Sequence, residues 1–243
     1  GVESNGMLCS EEELNIGKDS DGIMILPEDT PVGVPMKEYL GINDTVFELE
    51  ITPNRPDCLS HIGIARELGA YYNKEVKYPS FAINSESSEK TADNISVEIE
   101  DSNLAKRYVA RIIKNVTVKE SPKWLKERVE SIGIRSINNI VDASNFIMME
   151  LNQPNHTFDL DKIEGGKIVV RAGHENEKLV TLDEQERELN SDDIVISDGV
   201  KAVALGGVMG GQNSEITENT KNILLEVANF NSQNVRKTSR KCN

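Results

Sequence analysis

No apolar run in these 243 residues approaches the roughly 20 that a membrane-spanning helix needs, so no bilayer span is expected. Cysteine is scarce: Cys9, Cys58 and Cys242 form an odd, scattered set without a CxxC pair. That excludes a disulfide framework and fits reduced thiols in a cytoplasmic compartment. Basic residues are outnumbered 27 to 41, and the net charge of -14 repels a polyphosphate backbone. That argues against autonomous nucleic-acid binding, so any RNA is expected to be delivered by something else. Histidine is rare too. Cys58 and His61 make a single CxxH spacing with no second ligand pair, and His174 sits in a charged turn, so no bound metal is expected. GxSxG, GxGxxG and GxxxxGK[ST] are all missing, which removes the usual signals of nucleophilic hydrolases, Rossmann enzymes and nucleotide phosphate loops. The first residue is Gly1, and no basic segment followed by an apolar one marks a signal peptide, so an excised piece of a larger protein is expected.

A hydrophobic content of 37% with 28% charged residues suits globular material with a sizeable core. Ser10 to Glu13 fits a capping box that opens a short helix, and Phe47, Leu49 and Ile51 alternate with glutamates as in a half-buried strand. Asp57 is expected to cap a helix from Cys58 to about Asn73. The Ser-, Glu- and Lys-rich stretch 85–94 reads as a linker, giving a small α+β unit over 1–84 and a larger domain over 95–243. In the latter, strands are expected around Ile95 to Ile99, Arg107 to Val116, Lys167 to Arg171, Leu179 to Leu182, Ile194 to Ser197, Val200 to Ala204 and Ile223 to Ala228. Helices are expected after Ser121-Pro122, with Trp124, Leu125 and Val129 facing the core, over Asn138 to Met149, and after a cap at Asn231. Asp198-Gly199 is a hairpin signal. Without regular βα alternation the fold class is α+β, with mixed, largely antiparallel sheets and flanking helices.

The stretch Leu151 to Asp159 stands out: a polar, Pro-braced loop with His156 follows an apolar helical segment and leads into a strand. His156 either orients a water or a substrate ester in a pocket, or merely satisfies backbone groups at a loop. Glu226 interrupts an apolar strand and shares a face with Leu224 and Ala228. A carboxylate there is paired with a cation, exposed at an edge, or placed to bind a ligand. Gly206, Gly207, Gly210 and Gly211 permit either close approach of backbone to a ligand or tight packing. Ser144-Asn145, on the helix before the histidine loop, either add a hydroxyl and an amide to that pocket or are exposed polar residues.

Together, Glu50-Ile-Thr-Pro-Asn-Arg-Pro-Asp57, Arg135 to Asn145, the histidine loop, Ala204 to Gly211 and Leu224 to Ala228 resemble the bacterial phenylalanyl-tRNA synthetase β subunit. Glu3 to Ser10 also matches, in the segment after that subunit's inserted OB domain. The resemblance implies an editing module that hydrolyses tyrosine wrongly esterified to the phenylalanine tRNA. Its implied catalytic residues are His156, Ser144 and Asn145, and its substrate-binding residues Glu226, Pro154, Gly207 and Ala228. A threonine is common in the family where Ser144 stands. Glu226 would select the tyrosine hydroxyl. The implied partners are tyrosine-charged tRNA(Phe) and the α subunit, in a heterotetramer of two α and two β. ATP and magnesium serve the complete synthetase, and no cofactor is implied in this fragment. The alternative is a noncatalytic module that positions tRNA or packs against the α subunit.

Overall fold

The computed structural model describes residues 6–14, 16–17, 19–41, 44–83 and 86–242. Glu3 to Asn5 of the N-terminal motif, with Asn84 and Ser85 of the expected linker region, lie outside them. The chain divides into two compact units, Gly1–Phe47 and Glu48–Asn243. In the first, the Ser10 amide donates to Glu13 Oε2 at 2.9 Å and the Glu13 amide to Ser10 Oγ at 3.2 Å, so the expected capping box forms. It closes only a turn, because Glu11 to Glu13 offer no apolar face to bury along a helix. A single helical turn, α1 (Met36–Tyr39), follows.

The alternation Phe47, Leu49, Ile51 does not become a strand: the segment is extended, unpaired by any strand among the described residues, with Phe47 and Leu49 exposed. A pattern of period two makes a strand only where a neighbour completes the ladder. In the second unit, Pro56–Cys58 form a 3-10 turn ahead of α2 (His61–Tyr72). Asp57 is not its cap, since its carboxylate is held by Arg55 at 2.8 Å. Ser60 takes that place, accepting from the Gly63 amide at 3.0 Å, and Asn73 ends the helix with φ 51°. His61 Nδ1 donates to the Met149 carbonyl at 3.1 Å and Asn152 Nδ2 to the Pro56 carbonyl at 2.9 Å. These bonds tie α2 and its approach to α5 (Asn139–Leu151). The contact boundary thus falls ahead of α2, while composition draws a linker at 85–94.

After a further turn, α3 (Thr91–Asn94), the chain builds two packed sheets. One contains β1 (Ser96–Ile99), β4 (Lys167–Ala172), β7 (Ile194–Ser197), β8 (Ala202–Leu205) and β9 (Met209–Gly210) in the order β1-β4-β7-β8-β9. Only its β1–β4 pair is parallel. The other is antiparallel, with β10 (Ile223–Phe230) between β2 (Ala105–Ile113) and β3 (Asn155–Asp159). A small hairpin joins β5 (Lys178–Val180) to β6 (Glu186–Glu188). The α+β class with mixed, largely antiparallel sheets holds.

Tyr108, Phe158 and Leu224 from the three-stranded sheet share a core with Ile168, Val170, Ile196 and Ala204 of the five-stranded one. At the β7–β8 hairpin, Asp198 Oδ1 accepts from the Val200 and Lys201 amides and Gly199 adopts φ +86°, so the Asp-Gly signal is realised. α4 (Lys123–Ser131) buries Leu125 and Val129, but Trp124 is 57% exposed and rests edge-on against Phe146. That corrects the expectation that Trp124 faces the core. α6 (Ser232–Cys242) starts where Asn231 Oδ1 accepts from the Gln233 amide at 2.9 Å. No helix among the described residues is long and apolar enough to cross a membrane.

Asn138 Oδ1 caps α5 by accepting from the Ile140 and Val141 amides. One turn on, fully buried Asp142 accepts from the Ser121 and Ser136 hydroxyls and the Ile137 amide. Asp142→Ala strands three donors at once, and a loss of about 3 kcal/mol in folding free energy is expected in urea unfolding. A loss below about 1 kcal/mol would show that solvent reaches the three donors.

Candidate functional site

Strand β10 brings the two leading residues together. Glu226 is the direct cross-strand partner of His156 on β3 and of Ala110 on β2. Opposed residues of antiparallel strands share a face, so Glu226 and His156 both project between the two sheets. His156 therefore stands in a strand, not in the polar loop that precedes it. Tyr108, opposite Ala228, reaches Glu226 diagonally, and its hydroxyl donates to Glu226 Oε2 at 2.8 Å. Both side chains are nearly sealed, at 5% exposure for Glu226 and 9% for Tyr108.

Burial dominates the electrostatics. Desolvation pushes the Glu226 carboxyl up to about 7, and the bond from Tyr108 opposes part of that rise. The Tyr108 phenol is raised well above its ordinary value by burial and by the neighbouring carboxylate. Desolvation lowers His156 to about 4. The residue is half-buried as a whole, but Nε2 is sealed and has no hydrogen-bond partner. The imidazole stands edge-on to Phe158, centroids 4.6 Å apart. Its other neighbour is the backbone of Gly210, where a Cβ would fall 2.6 Å from both Cε1 and Nε2.

A buried acid lifted to neutrality beside a neutral imidazole with a spare nitrogen is an arrangement that folding alone does not favour and that polar ligands satisfy. The low His156 value has a direct consequence. Its imidazole is expected to stay neutral from pH 8 down to pH 5 and to titrate near 4, read from nitrogen chemical shifts of the labelled ring. A midpoint near 6.5 would mean that water reaches Nε2.

The remaining expected site residues lie around this pair. Ser144 is on α5, and its hydroxyl donates to Asn155 Oδ1 at 2.6 Å while Asn155 Nδ2 returns a bond to the Ser144 carbonyl. Asn155 precedes His156, so it projects from the opposite face of β3. Ser144 and its half-buried neighbour Asn145 thus sit behind the strand that carries His156, not beside the imidazole. Pro154 is exposed, just ahead of β3. Ala228 shares Glu226's face. Gly207, with φ +73°, lies against Val235 and Phe230, whereas Gly210 lies against His156. Tyr108 escaped the sequence reading, although it is the one polar-tipped residue in the inward series Ala105, Tyr108, Ala110, Ile112. Asp57, Cys58 and Glu67 also gather, but Arg55 bonds both carboxylates and supplies the charge a cation would bring.

The B3/4 domain family model matches residues 104–243, more than half of the chain, and the chain belongs to that family. Its similarity extends over nearly the whole length to phenylalanine-tRNA ligase beta subunits. It is 57% identical over 239 residues to that of Fusobacterium nucleatum, covering 98% of this chain and 30% of the relative. Against the Geobacter sulfurreducens subunit it is 49% identical, covering 99% of the chain and 30% of the relative. The chain spans about 30% of the length of the curated relatives it matches, and the resemblance drawn from its motifs is borne out. A crystal structure of an N-terminal fragment of the phenylalanyl-tRNA synthetase beta subunit from Pyrococcus horikoshii is 16% identical, with a TM-score of 0.43 over 77% of this chain and 58% of that one.

Proposed function

We propose that the chain carries an editing site that hydrolyses tyrosine esterified to the phenylalanine tRNA. The observation that carries this reading is the buried Glu226 carboxylate, aligned across the sheet from His156 and already engaged by a phenol hydroxyl, that of Tyr108. A site made to take a phenol hydroxyl has a physical reason to exist. A synthetic pocket built for an aryl ring cannot strongly reject the same ring with one hydroxyl more, so a second sieve must prefer that hydroxyl. Glu226 is the selector. His156, neutral at physiological pH, holds the ester or the attacking water. Ser144, bonded to Asn155, braces β3 from behind, and Ala228 bounds the ring; Asn145, Pro154 and Gly207 lie further out.

The remaining parts of the reading are supported by the likeness to phenylalanine-tRNA ligase beta subunits. The net charge of -14 disfavours unaided tRNA binding. In this reading tRNA is brought by the rest of a β subunit, with an α subunit carrying synthesis, ATP and magnesium in the cytoplasm. The test uses preformed tyrosyl- and phenylalanyl-tRNA(Phe), with the chain alone and with the restored α and β subunits, alongside His156→Ala. Selective loss of the tyrosyl ester that disappears in the variant is the expected result. No hydrolysis in either form would leave the chain a noncatalytic module, and equal hydrolysis of both esters would remove the selective role of Glu226.

A further inference from the structure

We propose that Tyr108 is a positioning residue of this site, fixing the Glu226 carboxylate through Oε2 so that Oε1 is the oxygen left for an incoming phenol. The inference rests on the editing reading and adds a residue to it. Three observations place Tyr108 in the role. Its hydroxyl lies 2.8 Å from Glu226 Oε2, both side chains are nearly sealed from water, and among the described residues no donor is seen on Oε1.

A carboxylate has acceptor capacity on both oxygens, and one hydrogen bond from a rigid aromatic leaves the other oxygen directed but unfilled. Tyr108 and Ala228 are register partners, so the ring is anchored two pairs along from Glu226, on the same face. It can therefore hold the carboxylate without occupying the space ahead of it.

The surroundings offer no substitute. The titratable groups on the inner face of the three-stranded sheet around Glu226 are Tyr108 and His156, and His156 Nε2 makes no hydrogen bond. The facing sheet presents Ile168, Val170, Ile196 and Ala204. Without the Tyr108 hydroxyl, Glu226 has no side-chain donor among the described residues, and desolvation favours its neutral form. A neutral carboxyl makes the weaker, uncharged bond to a phenol and is also free to turn. Tyr108 thus acts on selectivity through Glu226 and touches no reacting atom.

Tyr108→Phe removes only the hydroxyl and keeps the ring in the core. In that variant the KM for tyrosyl-tRNA(Phe) is expected to rise about tenfold, with hydrolysis of phenylalanyl-tRNA(Phe) unchanged. A purely structural effect would slow both esters alike. In the protein without substrate, the infrared carbonyl band of a protonated carboxyl is expected at neutral pH in Tyr108→Phe and not in Tyr108→Phe/Glu226→Gln. If Glu226→Gln loses selectivity while Tyr108→Phe keeps it, this inference fails and the editing reading stands. Tighter binding of the tyrosyl ester in Tyr108→Phe would make Tyr108 a competitor for Glu226 and overturn it as well. If Glu226→Gln also leaves selectivity intact, the editing reading itself fails.

Discussion

Glu226→Gln is expected to cost the site most of its preference for tyrosine over phenylalanine while raising the stability of the protein. The amide keeps the shape and one acceptor but loses the charge, and charge-assisted hydrogen bonds are about twice as strong as neutral ones. Removing that difference at a buried site lowers selectivity by about 1 to 2 kcal/mol, or roughly 5- to 30-fold in the ratio of kcat/KM for the two esters. Stability moves the other way. Burial raises the carboxyl from 4.5 to about 7, so the folded state holds the proton more tightly than the unfolded chain. The contribution of Glu226 is therefore fully favourable below pH 4.5 and is lost as pH rises through 7. By pH 8 the ionised carboxylate costs on the order of 3 kcal/mol. Glutamine escapes that cost. Urea unfolding at pH 5 and pH 8 is expected to show the variant's advantage growing with pH; a difference that does not change with pH would mean that Glu226 is solvated. A stabilising substitution that removes selectivity is the pattern expected of a residue kept for binding, not for folding.

Much of this arrangement was legible in the sequence because it depends on local rules. The strand around Glu226, the cap at Asn231 and the Asp198-Gly199 hairpin each follow from a few adjacent residues. Period-two alternation also placed Glu226 on the face of Leu224 and Ala228. What was not legible is register. Nothing local states that β10 pairs with β3 so that Glu226 meets His156, or with β2 so that Tyr108 falls diagonally beside them. The same gap explains Ser144: it lies near His156 along the chain, but alternation along β3 turns Asn155, its partner, away from the imidazole. Phe47 to Ile51 fails in the opposite direction, with a strand's local pattern and, among the described residues, no neighbouring strand to complete it. Asp57 lost the cap of α2 to Ser60 because Arg55 claimed its carboxylate, a competition between side chains that capping preferences do not weigh.

Gly210→Ala is the second substitution with a large expected effect, and it decides which glycine of the Ala204 to Gly211 stretch serves the site. A methyl at 210 would lie 2.6 Å from His156 Cε1 and Nε2 and 3.1 Å from Leu182 Cδ1, so the imidazole has to move. Phe158, fully buried behind the ring at 4.6 Å between centroids, limits where it can go. Overpacking of this kind costs about 1 to 3 kcal/mol of stability. A displacement of about 1 Å at a residue that positions ester or water is expected to slow hydrolysis of tyrosyl-tRNA(Phe) about 100-fold. Gly207 offers the contrast. Its φ of +73° strains any L side chain, and a methyl there would press on Val235 and Phe230, so alanine costs stability by another route, away from His156. Compared at a temperature where both proteins are folded, Gly210→Ala is expected to lose far more hydrolysis per folded molecule than Gly207→Ala. The reverse order would place the reacting ester beside Phe230 and Val235 and remove His156 from its role.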